Sequence, residues 1–278
     1  TVIDILEKNG HEAYIVGGCV RDELLGRTPK DYDVATSAVP EETKQCFRSF
    51  KVVETGLKHG TVTVIMNGES FEVTTFRKDG SYSDRRRPDR VSFSSKLEDD
   101  LSRRDFTVNA MAYNSRRGLV DLYGGQKDLF RRRIVCVGDP EKRFGEDALR
   151  IMRALRFASE LGFSPEKSTA EAAHKMKDLL EDISAERVSK ELLLLLCGIS
   201  PFEVLTEFSD IIAEIIPEIE PCIDFDQHSR YHIYDVWTHT ASAVERSEAD
   251  PDVRLALMLH DIGKPFCLKT DDEGNGHF

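Results

Sequence analysis

The segment from residue 61 to residue 77 contains the pattern that most restricts the fold of this 278-residue chain. Two runs, TVTVIMNG and ESFEVTTFR, alternate with a period of two, which is typical of half-buried β-strands. They meet at Asn67-Gly68, the dipeptide that most strongly indicates a two-residue hairpin turn. Helical patterns accompany them, one ending at Gly10 and another beginning near Pro40. Residues 1–125 are therefore predicted to form a mixed α/β unit built on a small sheet.

Beyond residue 125 the sequence becomes almost entirely helical. A Gly-Asp-Pro turn leads into a helix of about fifteen residues that Gly162 is expected to end. The richest apolar run, ELLLLLC at 191–197, is much shorter than the roughly 20 residues of a membrane span, so we interpret it as a buried helix. We predict three regions: an α/β head at 1–125, a helical region at 126–200, and a second helical region at 201–278.

Charge, apolar content and cysteine spacing limit the kinds of partner and the cellular location that this chain can have. Net charge is −12, yet residues 77–156 contain 20 Lys+Arg against 13 Asp+Glu, which suggests either a localised polyanion site or a solvated basic face. Neither a membrane helix nor a secretory signal is visible, so no membrane partner is expected. The six cysteines are scattered without CxxC spacing, which fits reduced thiols and a cytoplasmic location.

The segment YIVGGCVRDELLGRTPKDYDVAT places two carboxylates just past a strand and a glycine turn. On a strand, Asp31 and Asp33 would point to the same face and repel each other unless a cation lay between them, and oxygen ligands favour Mg²⁺. Gly17 and Gly18 would let backbone N–H groups approach a phosphate, with Arg21 within reach of the same anion. The alternative is an ordinary surface loop, because a lone D-x-D motif is a weak signal.

Three further groups of charged residues are candidates for the same chemistry. Glu72, on the neighbouring predicted strand, is either a third metal ligand or an exposed strand residue. An Arg-Arg-Asp sequence at 103–105 suggests phosphate contact, or a charged helix start. In GEDALRIMRALRFA, spacing by three predicts one helical stripe, which is either a polyanion and base-reading surface or a salt-bridged helix; its members are Asp147, Arg150, Arg153 and Arg156.

The C-terminal part contains a histidine-rich stretch. His239 and the adjacent pair His260-Asp261 suggest a divalent-metal cluster of phosphohydrolase type, although isolated histidines are more often packing or surface residues. A distal aspartate that would complete such a cluster is not evident in the sequence that follows. These three residues are therefore either a metal site or ordinary packing and surface residues.

Three of these segments, taken in order, resemble the class II tRNA nucleotidyltransferases, the CCA-adding enzymes, and their bacterial poly(A) polymerase relatives. The resemblance runs from Gly17 to about Leu196 and rests on three motifs, VGGCVRDELLGRTPKDYDV, LSRRDFTVNAMA and EDALRIMRALRFA. Residues 79–93 look like the family's flexible loop, and the last part resembles the beginning of an HD domain. The resemblance implies an α/β (α+β) nucleotidyltransferase head with a small mixed sheet, then an all-α neck and body with a partial HD-type helical region.

The resemblance also implies a reaction and its residues. Template-independent, Mg²⁺-dependent addition of C, C and A from CTP and ATP to the 3′ end of tRNA is the expected activity. Asp31 and Asp33 would hold two Mg²⁺ ions, and the nucleotide and its triphosphate would contact the other motif residues: Gly17, Gly18, Arg21, Arg104, Asp105, Arg153 and Arg156. Asp147 and Arg150 would select the base by hydrogen bonds.

Two other functions remain open from the sequence. A poly(A) polymerase is the first, although the basic extensions that such relatives tend to carry for generic RNA are not visible in this acidic chain. An HD-type phosphohydrolase with a nucleotide-binding head is the second, and the intact carboxylate pair in DYDV speaks against it. The charged, intact loop at 79–93 speaks against a relative that adds only CC.

Overall fold

The computed structural model of the chain describes residues 1–54, 56–80, 91–227, 233–270 and 276–277. Within them the chain forms two compact units. The first comprises Thr1–Arg131 and Val135–Glu146, and the second comprises Arg132–Ile134 and Asp147–Phe278. The mixed α/β class with a helical second part is confirmed. The three-way division at residues 125 and 200 stays a prediction.

The strands, numbered along the chain, are mostly short. They are β1 Ala13–Val16, β2 Asp33–Thr36, β3 Lys51–Val53, β4 Thr61–Met66, β5 Glu69–Thr75, β6 Arg77–Asp79, β7 Val91–Phe93, β8 Met111–Asn114, β9 Gly118–Asp121, β10 Arg133–Ile134, β11 Ser164–Pro165, β12 Lys269–Thr270 and β13 Gly276–His277. Seven of them form one sheet in the order β3-β4-β5-β2-β1-β8-β9. Only the β2–β5 pair in this sheet is parallel among the described strands.

The helices outnumber the strands of the main sheet and dominate the second unit. They are α1 Val2–Lys8, α2 Gly18–Leu24, α3 Pro40–Cys46, α4 Leu97–Ser102, α5 Gly125–Arg131, α6 Pro140–Glu146, α7 Leu149–Leu161, α8 Lys167–Lys175, α9 Ala185–Leu196, α10 Pro201–Glu207, α11 Ser209–Ile215, α12 Val236–Arg246, α13 Pro251–Leu259 and α14 Lys264–Cys267. Short 3₁₀ turns occur at Leu57–His59, Thr107–Asn109, Lys177–Asp182 and Pro217–Cys222. Among these described helices, none is long and apolar enough to cross a membrane.

The predicted hairpin is confirmed. Asn67 and Gly68 both have positive φ, 54° and 86°, as the favoured two-residue hairpin turn requires. Strands β4 and β5 pair from Met66–Glu69 back to Thr61–Thr74. Because side chains alternate along a strand, this register places Val62, Val64 and Val73 in the core and their neighbours on the opposite face.

The two faces of the sheet are covered differently. One face packs Val34 and its strand neighbours against α1 and α3, with Leu6 and Phe47 fully buried. The other face packs Tyr14, Val16 and Ala35 with Phe76 and with α4 residues Leu97 and Leu101. Asp33 lies on this second face, at the N-terminal end of β2, because it has the same parity as Ala35. The sheet thus presents its carboxylate on the face that α4 packs against.

In the second unit, close backbone approach holds the helices together. Ser159 on α7 donates its hydroxyl to the carbonyl oxygen of Leu195 on α9 at 2.7 Å. A Cβ atom on Gly198 would lie 2.1 Å from the Ser159 hydroxyl oxygen, so only glycine fits there. Gly162 ends α7 with a positive φ of 67°, as predicted. The run ELLLLLC lies in and just after α9, whose leucines 192, 195 and 196 are buried as expected.

Candidate active site

The glycine turn after β1 brings an arginine from a distant segment to the sheet. Gly17 has a φ of 83°, and a Cβ atom there would lie 2.7 Å from Nη1 of Arg104. That guanidinium also donates to the backbone carbonyl of Asn109 at 3.4 Å. Gly17 is therefore required both for the turn and for the close approach of Arg104. The sequence motifs GG and RRD, about 85 residues apart in the chain, meet at this point.

Asp33 faces Glu72 across the parallel strand pair, since the two residues are Cα partners in the β2–β5 register. Burial first, then the negative charges of Asp31 and Glu72, raise the pKa of Asp33 to about 6, while Arg104 opposes the shift. Asp31 and Glu72 are exposed and Asp33 is half-buried. The structure thus brings all three predicted carboxylates into one electrostatic neighbourhood.

Asp31 differs from the sequence-based expectation. We expected both aspartates on one strand, but β2 begins at Asp33, so Asp31 lies in the segment before it. On one side its partner ends, because β1 stops at Val16 and Gly17 then turns away, although β5 continues to Glu69 on the other side. Convergence of these carboxylates depends on this loop rather than on strand geometry.

The three carboxylates do not form a closed three-ligand cluster. Among the described residues, the only His, Cys, Asp or Glu trio with ligand atoms all within 4.8 Å of one another is elsewhere in the chain. Glu72 is near enough to Asp33 to influence its pKa, but it does not complete a tight trio with Asp31 and Asp33. Its role as a metal ligand stays a prediction.

A buried carboxylate that the sequence analysis overlooked organises the two arginines. Asp100, fully buried on α4, accepts from Arg103 at 2.6 and 3.0 Å and from Arg104 at 3.1 Å. Burial alone would raise the pKa of Asp100, but the charges of both arginines hold that pKa below its usual value. The LEDDLSRRD sequence contained the signal, because acidic residues three and four positions before an arginine pair it on a helix.

Asn109 is a second residue that the sequence analysis missed. Its side-chain oxygen accepts from Nη1 of Arg21 at 2.7 Å, and its amide donates to Asp105 at 3.2 Å. Asp105 also accepts from the backbone N–H of Phe106 at 2.8 Å. Arg21 and Asp105, which the sequence placed in separate motifs, are therefore joined through Asn109 in a buried network, and Arg21 is additionally paired with Asp22 at 2.8 Å.

A cavity of about 220 Å³ opens in front of Asp33. Its wall includes Glu72 and the hydroxyl side chains of Thr61 and Thr74. Three guanidinium groups complete the polar wall, those of Arg77, Arg103 and Arg104. Carboxylates next to several cations form an environment that suits a polyphosphate together with a metal ion.

The second unit contains the charged residues that were predicted to form one helical stripe. Only the three arginines of that stripe lie on α7. Asp147 lies between α6 and α7 instead of on the helix, where its carboxylate pairs with Arg187 at 3.5 Å. Arg153 and Arg156 both meet Glu191 of α9, at 3.8 and 2.8 Å. The repulsion expected among the arginines is thus relieved by a carboxylate of the protein. Their contact with phosphate stays a prediction, as does base selection by Asp147 and the buried Arg150.

Comparison with known proteins decides the family. The family model "Poly A polymerase head domain" matches residues 13–135, and "Probable RNA and SrmB- binding site of polymerase A" matches residues 162–223. A CCA-adding enzyme of Lactobacillus delbrueckii subsp. bulgaricus is 50% identical over 207 residues, covering 74% of this chain and 52% of that protein. Another, from Ligilactobacillus salivarius, is 42% identical over 90% of this chain and 63% of its own length. The chain belongs to the CCA-adding enzyme and poly(A) polymerase family.

Solved structures of this family agree with the fold. The Bacillus stearothermophilus CCA-adding enzyme in complex with CTP matches with a TM-score of 0.77 at 38% identity, covering 95% of this chain and 63% of that one. A tRNA nucleotidyltransferase complexed with a primer tRNA and an incoming ATP analog matches with a TM-score of 0.69 at 28% identity over 94% and 75% of the two chains. The chain spans about half the length of the first-named curated relative.

The histidine cluster of this family member is assembled in the second unit. His239, His260 and Asp261 place one ligand atom each within 4.8 Å of one another. His260 contacts the carbonyl of Leu257 through Nδ1 at 2.6 Å, which leaves Nε2 facing Asp261 at 3.0 Å. Lys264, however, contacts the same Asp261 oxygen at 2.7 Å. An ammonium thus already neutralises the one carboxylate, and metal binding here stays a prediction.

Some expectations fall on segments outside the structural description. Residues 81–90 of the predicted flexible loop at 79–93 lie outside the described residues. The ends of that loop are described: β6 and β7 pair with each other from Arg77–Phe93 to Asp79–Val91.

Proposed function

We propose that the chain is a Mg²⁺-dependent nucleotidyltransferase that adds C, C and A from CTP and ATP to the 3′ end of tRNA. The observation that carries the proposal is the position of Asp33, between the Gly17 turn with Arg104 on one side and Glu72 on the other. The relatives named as CCA-adding enzymes and the CTP- and tRNA-bound structures of similar fold support it.

The carboxylates fit a divalent cation. The donor set is oxygen only, which suits Mg²⁺. Burial first, and then repulsion from Asp31 and Glu72, raises the pKa of Asp33, and a cation would relieve that repulsion. Asp31 and Asp33 would hold the metal. When bound, Mg²⁺ would lower the pKa of the attacking 3′-hydroxyl and neutralise charge on the leaving pyrophosphate.

The surrounding side chains would bind and orient the triphosphate. The turn at Gly17 and Gly18 offers backbone close to the anion, and Arg21 and Arg104 are held in place by Asn109 and Asp100. Because these arginines are already fixed, little side-chain entropy is lost on binding. Asp105 is proposed to support the same group through Asn109.

Base selection is proposed for the second unit. A carboxylate accepts from an exocyclic amine, and a guanidinium donates to a carbonyl or ring nitrogen, so Asp147 and Arg150 together match the edges of cytosine and adenine. Arg153 and Arg156, which both pair with Glu191, are proposed to contact nucleotide phosphate. Six free cysteines fit the cytoplasmic location that a tRNA substrate implies.

One assay tests the proposal directly. The protein is mixed with Mg²⁺ and a tRNA that lacks its 3′-CCA, and labelled CTP, ATP, UTP or GTP is added singly or in pairs. We expect CTP to be incorporated first, ATP only after two C additions, and UTP or GTP hardly at all. Asp33→Ala, which removes the central carboxylate, should abolish incorporation, while a folded far-UV spectrum shows that the sheet persists.

A second function is favoured by one finding. The head matches a family model named for poly(A) polymerase, so addition of long A-tails is the alternative reaction. The same assay separates the two, with an unrelated RNA and ATP alone as the additional arm. Long A-tails on that RNA would favour the polymerase, and full activity of Asp33→Ala would refute the metal assignment in either case.

A further inference from the structure

Asp33 has chemically different surroundings on its two sides. Along the sheet the strand order is β4-β5-β2-β1, so Asp33 on β2 has β1 on one side and β5 then β4 on the other. The β1 side ends in the Gly17 turn with the Arg104 guanidinium, which suits a polyphosphate. On the other side Glu72 is followed by two threonines, Thr74 on β5 and Thr61 on β4. This second side offers neutral hydroxyl groups next to the carboxylates, and its guanidinium, that of Arg77, donates to the carbonyl oxygen of His59.

Thr61 and Thr74 form a hydrogen-bonded pair at the wall of the 220 Å³ cavity. They are Cα partners in the β4–β5 register, and their hydroxyl oxygens are 2.9 Å apart. Each hydroxyl has one hydrogen and two lone pairs, and their mutual bond uses one hydrogen and one lone pair. The pair therefore retains one donor and three acceptor positions, which suit a ligand hydroxyl that both donates and accepts.

The backbone fixes the position of this pair. The N–H of Thr61 donates to the carbonyl oxygen of Gly56 at 3.1 Å, and that of Thr75 donates to Gly60 at 2.9 Å. A Cβ atom on Gly56 would lie 2.8 Å from the Cβ of Thr61, so the turn packs directly against the threonine. Both threonines are half-buried and sit on paired strands rather than on a loop. A site built on such elements is held in position before a ligand arrives.

We propose that Thr61 and Thr74 bind the 2′-hydroxyl of the terminal ribose of the RNA acceptor and thereby make the chain prefer RNA ends. The inference rests on the proposed nucleotidyl transfer and adds a subsite to it. A ribose 2′-hydroxyl also occurs on the incoming nucleotide. The acceptor is assigned because the threonines and the Gly17 turn lie on opposite sides of Asp33, and the attacking and leaving oxygens are in line across the reacting phosphorus.

The test compares acceptors that differ by one oxygen atom. Single addition of CTP is measured on a tRNA lacking CCA whose last nucleotide is either ribose or 2′-deoxyribose, and kcat/KM is obtained for each. For the parent chain we expect about a tenfold preference for the ribose end, which corresponds to about 1.4 kcal/mol. In the double variant Thr61→Val, Thr74→Val that preference should fall to about one, since the loss falls on the ribose-ended acceptor.

Matched variants keep the test interpretable. Thr63→Val makes the same change on the same face of β4, beside Glu72 in the register but outside the cavity wall, and should keep the preference. Thr61→Ser with Thr74→Ser retains both hydroxyls and should also keep it, so a loss there would contradict the proposal. An unchanged tenfold preference in the valine double variant would overturn it.

A second arm of the experiment distinguishes the ribose of the acceptor from the ribose of the incoming nucleotide. CTP and 2′-deoxy-CTP are compared on the ribose-ended acceptor, and their ratio should be the same in the parent and the valine double variant. A fall in that ratio with an unchanged acceptor preference would assign the threonines to the incoming nucleotide and refute the proposal. Failure of the parent chain to extend either acceptor would instead defeat the proposed function itself, and is thus distinguishable.

Discussion

At the scale of single residues, the buried Asp100 holds the guanidinium groups of Arg103 and Arg104 in place. It is fully buried and accepts three hydrogen bonds from Arg103 and Arg104. Asp100→Asn would leave two guanidinium groups facing a neutral amide, and removing one partner of a buried pair costs about 3 kcal/mol of unfolding free energy. Urea denaturation at pH 7 measures this loss. Glu98→Gln, on the exposed side of the same helix, is the control and should change stability by less than about 0.5 kcal/mol.

The pH dependence of the Asp100 effect has a definite sign. The pKa of Asp100 in the folded protein lies below its ordinary value of 3.8. A carboxylate with a lowered pKa contributes stability that is fully present above the ordinary value and is lost as the pH falls through the folded value. The difference between parent and Asp100→Asn should therefore be complete at pH 7 and shrink below about pH 4. A difference that is constant down to pH 3 would contradict this account.

Residues with a direct role in the proposed reaction were easier to predict than the residues that fix their positions by hydrogen bonds. Asp31, Asp33 and Arg104 were identified because their types and order carry a mechanism, and the structure brings them into one neighbourhood. Asn109 was missed because an amide inside an apolar run has many structural uses, and only the fold shows that it joins Arg21 to Asp105. Long-range partners of this kind leave no periodic signal in a sequence.

At the scale of elements, local signals predicted turns and helix ends well. Asn67-Gly68 and Gly162 adopt the positive φ values that their positions demand, because that requirement is local. Asp147 was placed on a helix by spacing alone, yet α7 begins only at Leu149. Its carboxylate accepts from the backbone N–H of Leu149 at 3.3 Å, a capping-type contact that competes with helix continuation. Spacing could not reveal this competition.

The junction between α6 and α7 is where base selection can be tested. If Asp147 accepts from the exocyclic amine of cytosine or adenine, Asp147→Ala should raise relative use of UTP and GTP about tenfold to hundredfold, since one good base contact is worth about 1–3 kcal/mol. Relative kcat/KM values for the four nucleotides on a tRNA lacking CCA provide the measurement. Asp139→Ala, on the exposed Gly-Asp-Pro turn, is the control. Unchanged nucleotide selection in Asp147→Ala would remove the base-reading assignment.

Arg254 on α13 connects several helix ends through hydrogen bonds to backbone carbonyl oxygens. It is 5% exposed and donates to the carbonyl oxygens of Leu196, Gly198, Glu245, Ser247 and Glu248. Lysine has three donors without the planar fork, so Arg254→Lys would leave buried carbonyls unsatisfied. We expect a loss of about 2–3 kcal/mol in unfolding free energy, measured by urea denaturation. Arg246→Lys, on a helix end, should be nearly neutral, and equal losses in both variants would contradict the role of Arg254.

At the scale of the whole molecule, the limits of the two compact units do not coincide with the change in periodicity near residue 125. The helical character begins near residue 125, but the first compact unit continues to Glu146, because Val135–Glu146 belongs to it. The short strand β10 between these parts pairs with β11 and belongs to the second unit. A boundary that the chain crosses three times cannot be located from a change in periodicity along the sequence.

This division separates the proposed chemistry from the proposed base selection. A fragment ending at Glu146 retains the seven-stranded sheet, Asp31, Asp33 and the arginines fixed by Asp100 and Asn109. It lacks Asp147 and Arg150. We therefore expect it to bind CTP, ATP, GTP and UTP in the presence of Mg²⁺ with affinities equal within about threefold, since every triphosphate offers the same anion to these groups. Isothermal titration of the fragment and of the full chain provides the comparison.

The fragment experiment has one control for phosphate binding and one for base selection. Arg104→Ala in the fragment should weaken binding of all four nucleotides alike, because it removes a phosphate contact and no base contact. The full chain should bind CTP and ATP more tightly than GTP and UTP, and the preference should disappear on truncation. If the fragment kept that preference, the base-reading groups would lie among residues 1–146, and Asp147 and Arg150 would have to be assigned a different role. Cooperative unfolding of the fragment shows that its sheet is intact, so equal affinities then report on the missing side chains.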